Sequence, residues 1–259
     1  MRFVSLVSKT APLDNVHCRK AVLYAADTAA LQLTRGGPTA GSRHGNMLPP
    51  TIPGSDDYDP FGLTDGEPQR ELARKELRAC GKPAGFTTRL AVRNTSDREI
   101  QSATALQSAL KAVGITVEID QYDATRFVED TSSPGTVKKK GYGLIMLGWG
   151  ADYPTGSGFL RPLADGRLIT ASGNTNYSQV DDPGINDLFD RATAETDAAE
   201  AARIHRRINH AVTDGAYYLP ITADKVLNYR SPRLTNVYVH DAYGMVDFQA
   251  LGTGDGASG

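Results

Sequence analysis

Residues 148–163 carry the densest chemistry in the chain: Gly148-Trp149-Gly150-Ala151-Asp152-Tyr153-Pro154, followed closely by Gly156-Ser157-Gly158. An indole and a carboxylate three residues apart, on backbone loosened by glycine, suit a ligand that bears an amine. The ring offers stacking area, and the carboxylate offers a charge-assisted hydrogen bond worth about 1.5–3 kcal/mol. Gly150 and Ala151 leave room for a ligand to approach the backbone. Plainer readings stand beside these. Asp before Tyr-Pro is ordinary turn chemistry, so on spacing alone Asp152 caps a turn more readily than it binds a ligand. Trp149 packs against the helix beginning near Ser96 as readily as it meets a ligand.

Other constellations are weaker. Ser157 lacks the G-x-S-x-G elbow, and no histidine and acid follow it in a hydrolase-like order. Gly141-x-Gly143 runs into an apolar strand instead of opening a helix, so it fails as a dinucleotide fingerprint. No Walker-type lysine loop occurs, and no enzyme is expected. His205 and His210 are five apart on one helix and face different ways. No cysteine–histidine cluster occurs either, so neither metal nor cofactor is expected. Lys138-Lys139-Lys140 is the only basic run and reads as a solvated loop. A net charge of −2 argues against a nucleic-acid partner. Cys18 and Cys80 define no disulfide framework and are expected to stay unbridged.

The elements around the loop follow from periodicity and punctuation. With 259 residues, 40% of them hydrophobic, one or two domains with a sizeable core are expected. Residues 1–9 alternate and read as a strand without a secretory apolar core. No run approaches the ~18 apolar residues of a membrane span. Asp14 or Asn15 caps a helix running to about Leu33. Residues 35–66, rich in Gly, Pro and Asp, form a long surface excursion. A helix over Gln69–Ala79 stops at Gly81. Thr87–Val92 is a strand, and Ser96 and Glu99 form a capping box for the helix behind them. Ile115–Ile119 and Tyr142–Trp149 are strands, with a short helix over Asp123–Asp130 between them. Strand–helix–strand units of this length give parallel crossovers, so Trp149 and Asp152 lie at the carboxyl end of a strand, where open α/β sheets bind ligands. Helices over Asp182–Ala194 and Asp197–Thr213 follow. Tyr217–Thr222, Lys225–Tyr229 and Val237–His240 are strand-like, and Gly252–Gly259 is a flexible end.

Four segments in order carry a family resemblance: Asn15–Asp27 with its Arg19-x-Ala21, Glu71–Leu77 followed by Gly81, Trp149–Pro154, and Tyr217–Ile221. Together they resemble the bacterial extracellular solute-binding proteins of family 5, which deliver oligopeptides, dipeptides or nickel complexes to ABC importers. The resemblance covers roughly residues 5–250. It implies an α/β, periplasmic-binding-protein-like lobe of type II, with a mixed, mostly parallel sheet flanked by helices. Residues 1–222 would form the carboxyl-terminal ligand-binding lobe, and 223–259 would return toward another lobe and end in a tail. It implies that Trp149, Gly150, Ala151 and Asp152 contact a peptide, Asp152 pairing with its α-amino group, and that permease subunits of an importer are partners. The complete protein would be monomeric and extracytoplasmic; the chain itself, having no signal peptide, would be cytoplasmic if its start is genuine. Some oligopeptide binders place a basic residue where Met146 stands, so a ligand carboxylate would need another group, such as Arg43, Arg161 or Arg167. Asn174–Tyr177 resembles a cleft loop of the family, although a turn built on asparagine side chains is the better reading. The alternative function is a truncated, non-binding remnant or interaction module.

Overall fold

The first strand, β1 (Arg2–Leu6), is buried on both faces, and its alternate side chains enter two separate cores. Val4 and Leu6 join one, while Phe3 joins the other. The sheet is therefore covered on both sides, as helices packed on a largely apolar sheet require. The computed structural model describes residues 1–240 and 243–254.

After β1 come α1 (Val16–Ala25) and α2 (Thr28–Thr34), where a single helix is expected. Asn15 caps the first, accepting from the His17 N–H, and Asp27 caps the second through the Ala30 N–H. Asp27 thus restarts the helix instead of continuing it. The excursion that follows contains only a short α3 (Gly37–Ala40) and β2 (Gly41–Ser42). It is held by side chains: Asn209 Oδ1 accepts from the N–H groups of Met47 and Leu48, and its amide donates to Asn46. Met47, Leu48 and Ile52 enter the second core.

The sequence resumes regular structure with α4 (Arg70–Ala79), β3 (Thr87–Arg93), α5 (Asp97–Lys111) and β4 (Thr116–Tyr122). Cys18 of α1 and Cys80 at the end of α4 form a disulfide, against expectation. The packing of α1 on α4 places the two Cα atoms 5.4 Å apart, a proximity that a separation of 62 residues conceals. The expected capping box is also absent. Ser96 occupies the cap position without a side-chain bond: the Glu99 N–H donates to the Ser96 carbonyl at 3.0 Å, and the Glu99 carboxylate accepts from the Arg93 guanidinium.

Next are α6 (Ala124–Thr131), α7 (Pro134–Lys140) and β5 (Tyr142–Gly148). The lysine run, expected as a solvated loop, is the last turn of α7, and Lys140 Nζ lies 2.5 Å from the buried Asp130 carboxylate. Then α8 (Gly156–Ala164), α9 (Pro183–Ala194) and α10 (Ala198–Asp214) precede β6 (Tyr218–Asp224). Asp182 and Asp197 cap α9 and α10 through the Ile185 and Glu200 N–H groups.

The sheet order is β2-β6-β1-β5-β3-β4. Pairing is parallel for β3 with β4 and β5, and antiparallel for β1 with β5 and β6 and for β2 with β6. The sheet is mixed as expected, but its parallel part is confined to the half built from crossovers. The first core packs α1, α4 and α5 on one face, and the second packs α8, α9 and α10 on the other. Beyond β6, two small ladders pair β7 (Leu234–Thr235) with β10 (Gly252–Thr253) and β8 (Val239–His240) with β9 (Met245–Val246). Residues 225–229 form no strand. Of the expected flexible end, 252–254 are ordered beside β7, and 255–259 lie outside the described residues.

Candidate functional site

The apolar run of β5 ends at Gly148, and the chain leaves the sheet there. The Trp149 backbone N–H still donates to the Met1 carbonyl at 2.9 Å, so the main chain at Trp149 is held at the end of β5. The following loop is closed at its far end: the Asp152 N–H donates to the Gly158 carbonyl at 3.0 Å, and Thr155 Oγ1 accepts from the Gly158 N–H. A Cβ on Gly158 would lie 2.2 Å from the Tyr153 carbonyl oxygen, so this closure requires glycine.

Gly148, Trp149, Gly150 and Ala151 line one wall of a cleft of about 710 Å³. Pro49, Pro50, Thr51 and Ile52 of the excursion form another part, and Arg2, Asp224, Lys225 and Tyr243 complete the charged and aromatic lining. Asp152 is not among the lining residues. It lies beside the cleft, its carbonyl accepting from the hydroxyl of the cleft-lining Tyr243 at 3.2 Å. Its side chain is exposed and makes no hydrogen bond or ion pair among the described residues. The turn is capped by Thr155, not by Asp152.

Trp149 is half-buried and packs with the second core, on the α8–α10 side of the sheet. The packing reading therefore holds in part, but on the face opposite α5. Its indole N–H is buried without an acceptor among the described residues, a donor whose desolvation costs about 1–3 kcal/mol.

The other candidates have structural partners. Met146 is buried in the first core. Arg43 donates to the Thr64 carbonyl and to Gln32. Arg161 and Arg167 both bind Asp165, which is fully buried. Burial pushes the Asp165 carboxyl up, but hydrogen bonds from Arg167 and Arg161 outweigh this and hold it below the ordinary carboxylate value. Asn174 and Asn176 bond within their own turn, as expected of asparagine side chains there. Tyr218 is buried, its hydroxyl donating to the Leu163 carbonyl, while Tyr217 lies under the Arg19 guanidinium. His205 Nε2 is 2.8 Å from Ser157 Oγ, and His210 Nε2 is 2.8 Å from Asp56. No group of three or more metal-ligating side chains is gathered among the described residues. A second cavity of about 650 Å³ lies between α9 and α10 and shares no residue with the cleft.

Residues 1–169 match the model of the bacterial extracellular solute-binding proteins, family 5 Middle. The chain belongs to this family. Among curated relatives, it is similar to the glutathione-binding protein GsiB of Escherichia coli K12, 24% identical over 239 residues. GsiB of Pectobacterium atrosepticum is 27% identical over the same length. Each match takes in 92% of this chain and 45% of the relative, so the chain spans about half the length of the curated relatives it matches. Among solved structures, clavulanic acid biosynthesis oligopeptide binding protein 2 superposes with a TM-score of 0.92 at 39% identity, over 98% of this chain and 46% of that one. A dipeptide binding protein from Pseudoalteromonas, in complex with Met-Leu, shares the fold at 19% identity and a TM-score of 0.75.

Of the four residues singled out by the family 5 motif, three line one cleft and the fourth adjoins it. Sequence reasoning missed Arg2, Asp224, Lys225, Tyr243 and the 49–52 wall. These come from four separate segments, and no local pattern marks them.

Proposed function

We propose that this chain is a ligand-binding lobe of the substrate-binding component of an ABC importer, and that its ligand is a peptide. The observation that carries the reading is the unspent Asp152 carboxylate beside a cleft whose wall is Trp149, Gly150 and Ala151. Asp152 would anchor the peptide's amino group, with backbone at 148–152 reading the extended chain. Relatives whose names record glutathione or oligopeptide binding support this class of ligand. A second lobe, supplied by sequence outside these residues, would close on the peptide by hinge motion. Residues after β6 would return toward that lobe, their side chains exposed here at Leu227, Tyr229 and Phe248. Permease subunits would be its partners, and no step of catalysis is assigned to it. The Cys18–Cys80 disulfide favours an oxidising compartment, in keeping with an extracytoplasmic site of action.

Trp149 is the only tryptophan, so its fluorescence reports on the cleft. Titration with di- to pentapeptides is expected to shift that emission saturably, and Asp152→Ala to weaken binding by about tenfold or more, the loss of one charge-assisted hydrogen bond. An Asp152→Ala protein that binds as tightly as the parent removes the anchoring role. Absence of any peptide response from the parent favours the non-binding alternative.

A further inference from the structure

One arginine at the cleft shares both of its carboxylates with other arginines. Arg2 pairs across the sheet directly with Gly148, and its side chain lies over that glycine. A Cβ at position 148 would sit 2.7 Å from Arg2 Cδ and 2.8 Å from Nη1, so any larger residue would displace the guanidinium. Its Nε donates to Asp224 Oδ2 at 3.1 Å, and Nη1 lies 3.6 Å from Glu99.

Both carboxylates already have another arginine. Arg35 donates from Nε and Nη2 to the two oxygens of Asp224, at 3.5 and 3.1 Å. Thr222 Oγ1 adds a further bond to the same carboxylate at 2.7 Å. Arg93 donates from Nε and Nη2 to the two oxygens of Glu99. Each acid is thus met by a guanidinium fork, the strong two-bond geometry. Three arginines share two carboxylates, and the surplus falls on Arg2. Neither of its Nη groups makes a hydrogen bond among the described residues. Its side chain is 35% exposed against 10% for Arg35, and of the three arginines it alone lines the cleft. Lys225 lines it too, its Nζ donating to the Pro38 carbonyl at 3.4 Å, so the charged side chains lining the cleft are two cations and one anion.

We propose that Arg2 is the anion-recognising residue of this cleft, its two Nη groups receiving a carboxylate of the bound peptide. The assignment rests on the peptide-binding reading of the same site. It supplies the cation that position 146, a buried methionine, does not. Asp224 and Glu99 hold the guanidinium in place over Gly148, so little side-chain freedom is lost when the anion arrives.

The test uses Trp149 emission and three tripeptides: Ala-Ala-Ala, its carboxyl-terminal amide, and Ala-Glu-Ala amide. The parent is expected to bind Ala-Ala-Ala at least about tenfold more tightly than its amide, the loss of a charged hydrogen-bond pair. Tight binding restored by Ala-Glu-Ala amide identifies a side-chain carboxylate as an equivalent source; weak binding assigns the site to the chain terminus. Arg2→Gln is expected to bind free and amidated peptide alike, and Arg2→Lys to keep part of the preference. Thermal melts of both variants check that the fold persists. Equal affinity of the parent for Ala-Ala-Ala and its amide overturns the role of Arg2 while leaving peptide binding standing. A preference retained by a folded Arg2→Gln protein does the same. If none of the three tripeptides alters the emission of the parent, the peptide reading and the Arg2 assignment both fail.

Discussion

His205 illustrates how a side chain dismissed at the sequence level acquires a measurable role through its surroundings. It is nearly buried, packed against Gly156, with Nε2 near Ser157 Oγ. Burial lowers its proton affinity below the ordinary histidine value. The unfolded chain therefore binds the proton more tightly than the folded one, and stability is fully present above pH about 6.5 and falls as the pH drops below it. His44 is shifted the same way, burial outweighing Asp57, Asp59 and Asp56. Urea denaturation between pH 5 and 8 should show stability rising with pH, by at most about 1.4 kcal/mol per pH unit for each histidine, then levelling. His205→Gln should flatten part of that slope, and an unchanged slope would exclude His205 as its source. At the same scale, Trp149 and Asp152 were singled out by the Trp-to-Pro motif and its family resemblance, since spacing alone favoured a turn cap for Asp152. Arg2 was not, because its significance comes from which acids are shared and which are not.

Helices and strands were mostly legible where caps and periodicity agree. Asn15, Asp182 and Asp197 cap as their residue types suggest, because each carboxyl or amide has a free N–H within reach and no stronger competitor. Ser96 has the same local signature, yet the Arg93–Glu99 pair takes the box's acidic member. That competitor lies on β3, the element before, and its guanidinium is a stronger partner than a backbone N–H. The disulfide was hidden for a related reason: α1 and α4 meet only after the excursion between them has folded back. In the chain-entropy account a loop of this size stabilises the fold by about 4 kcal/mol. Cys18→Ala with Cys80→Ala, or reduction of the parent, should lower the urea-derived stability by about that amount, and a change under about 1 kcal/mol would show that the bridge adds little.

On the scale of the molecule, apolar exposure is concentrated after β6. Leu227 is 97% exposed, Tyr229 94% and Phe248 75%, whereas both cores beneath the helices are closed. Exposed apolar groups gathered in one segment favour association. Leu227→Glu with Tyr229→Glu should reduce self-association in sedimentation velocity while leaving the urea-derived stability within about 0.5 kcal/mol of the parent, since neither side chain enters a core. A larger loss of stability would show that the segment packs in solution. The amino-acid sequence alone determined the α/β class, the crossover half of the sheet, the family and the loop that ends β5, because periodicity, caps and the Trp-to-Pro motif are local. The tertiary structure alone decided the antiparallel half of the sheet, the Cys18–Cys80 bridge, the face on which Trp149 packs and the surplus charge on Arg2. Each depends on segments that are distant in the chain and adjacent in space, and no local pattern encodes that adjacency.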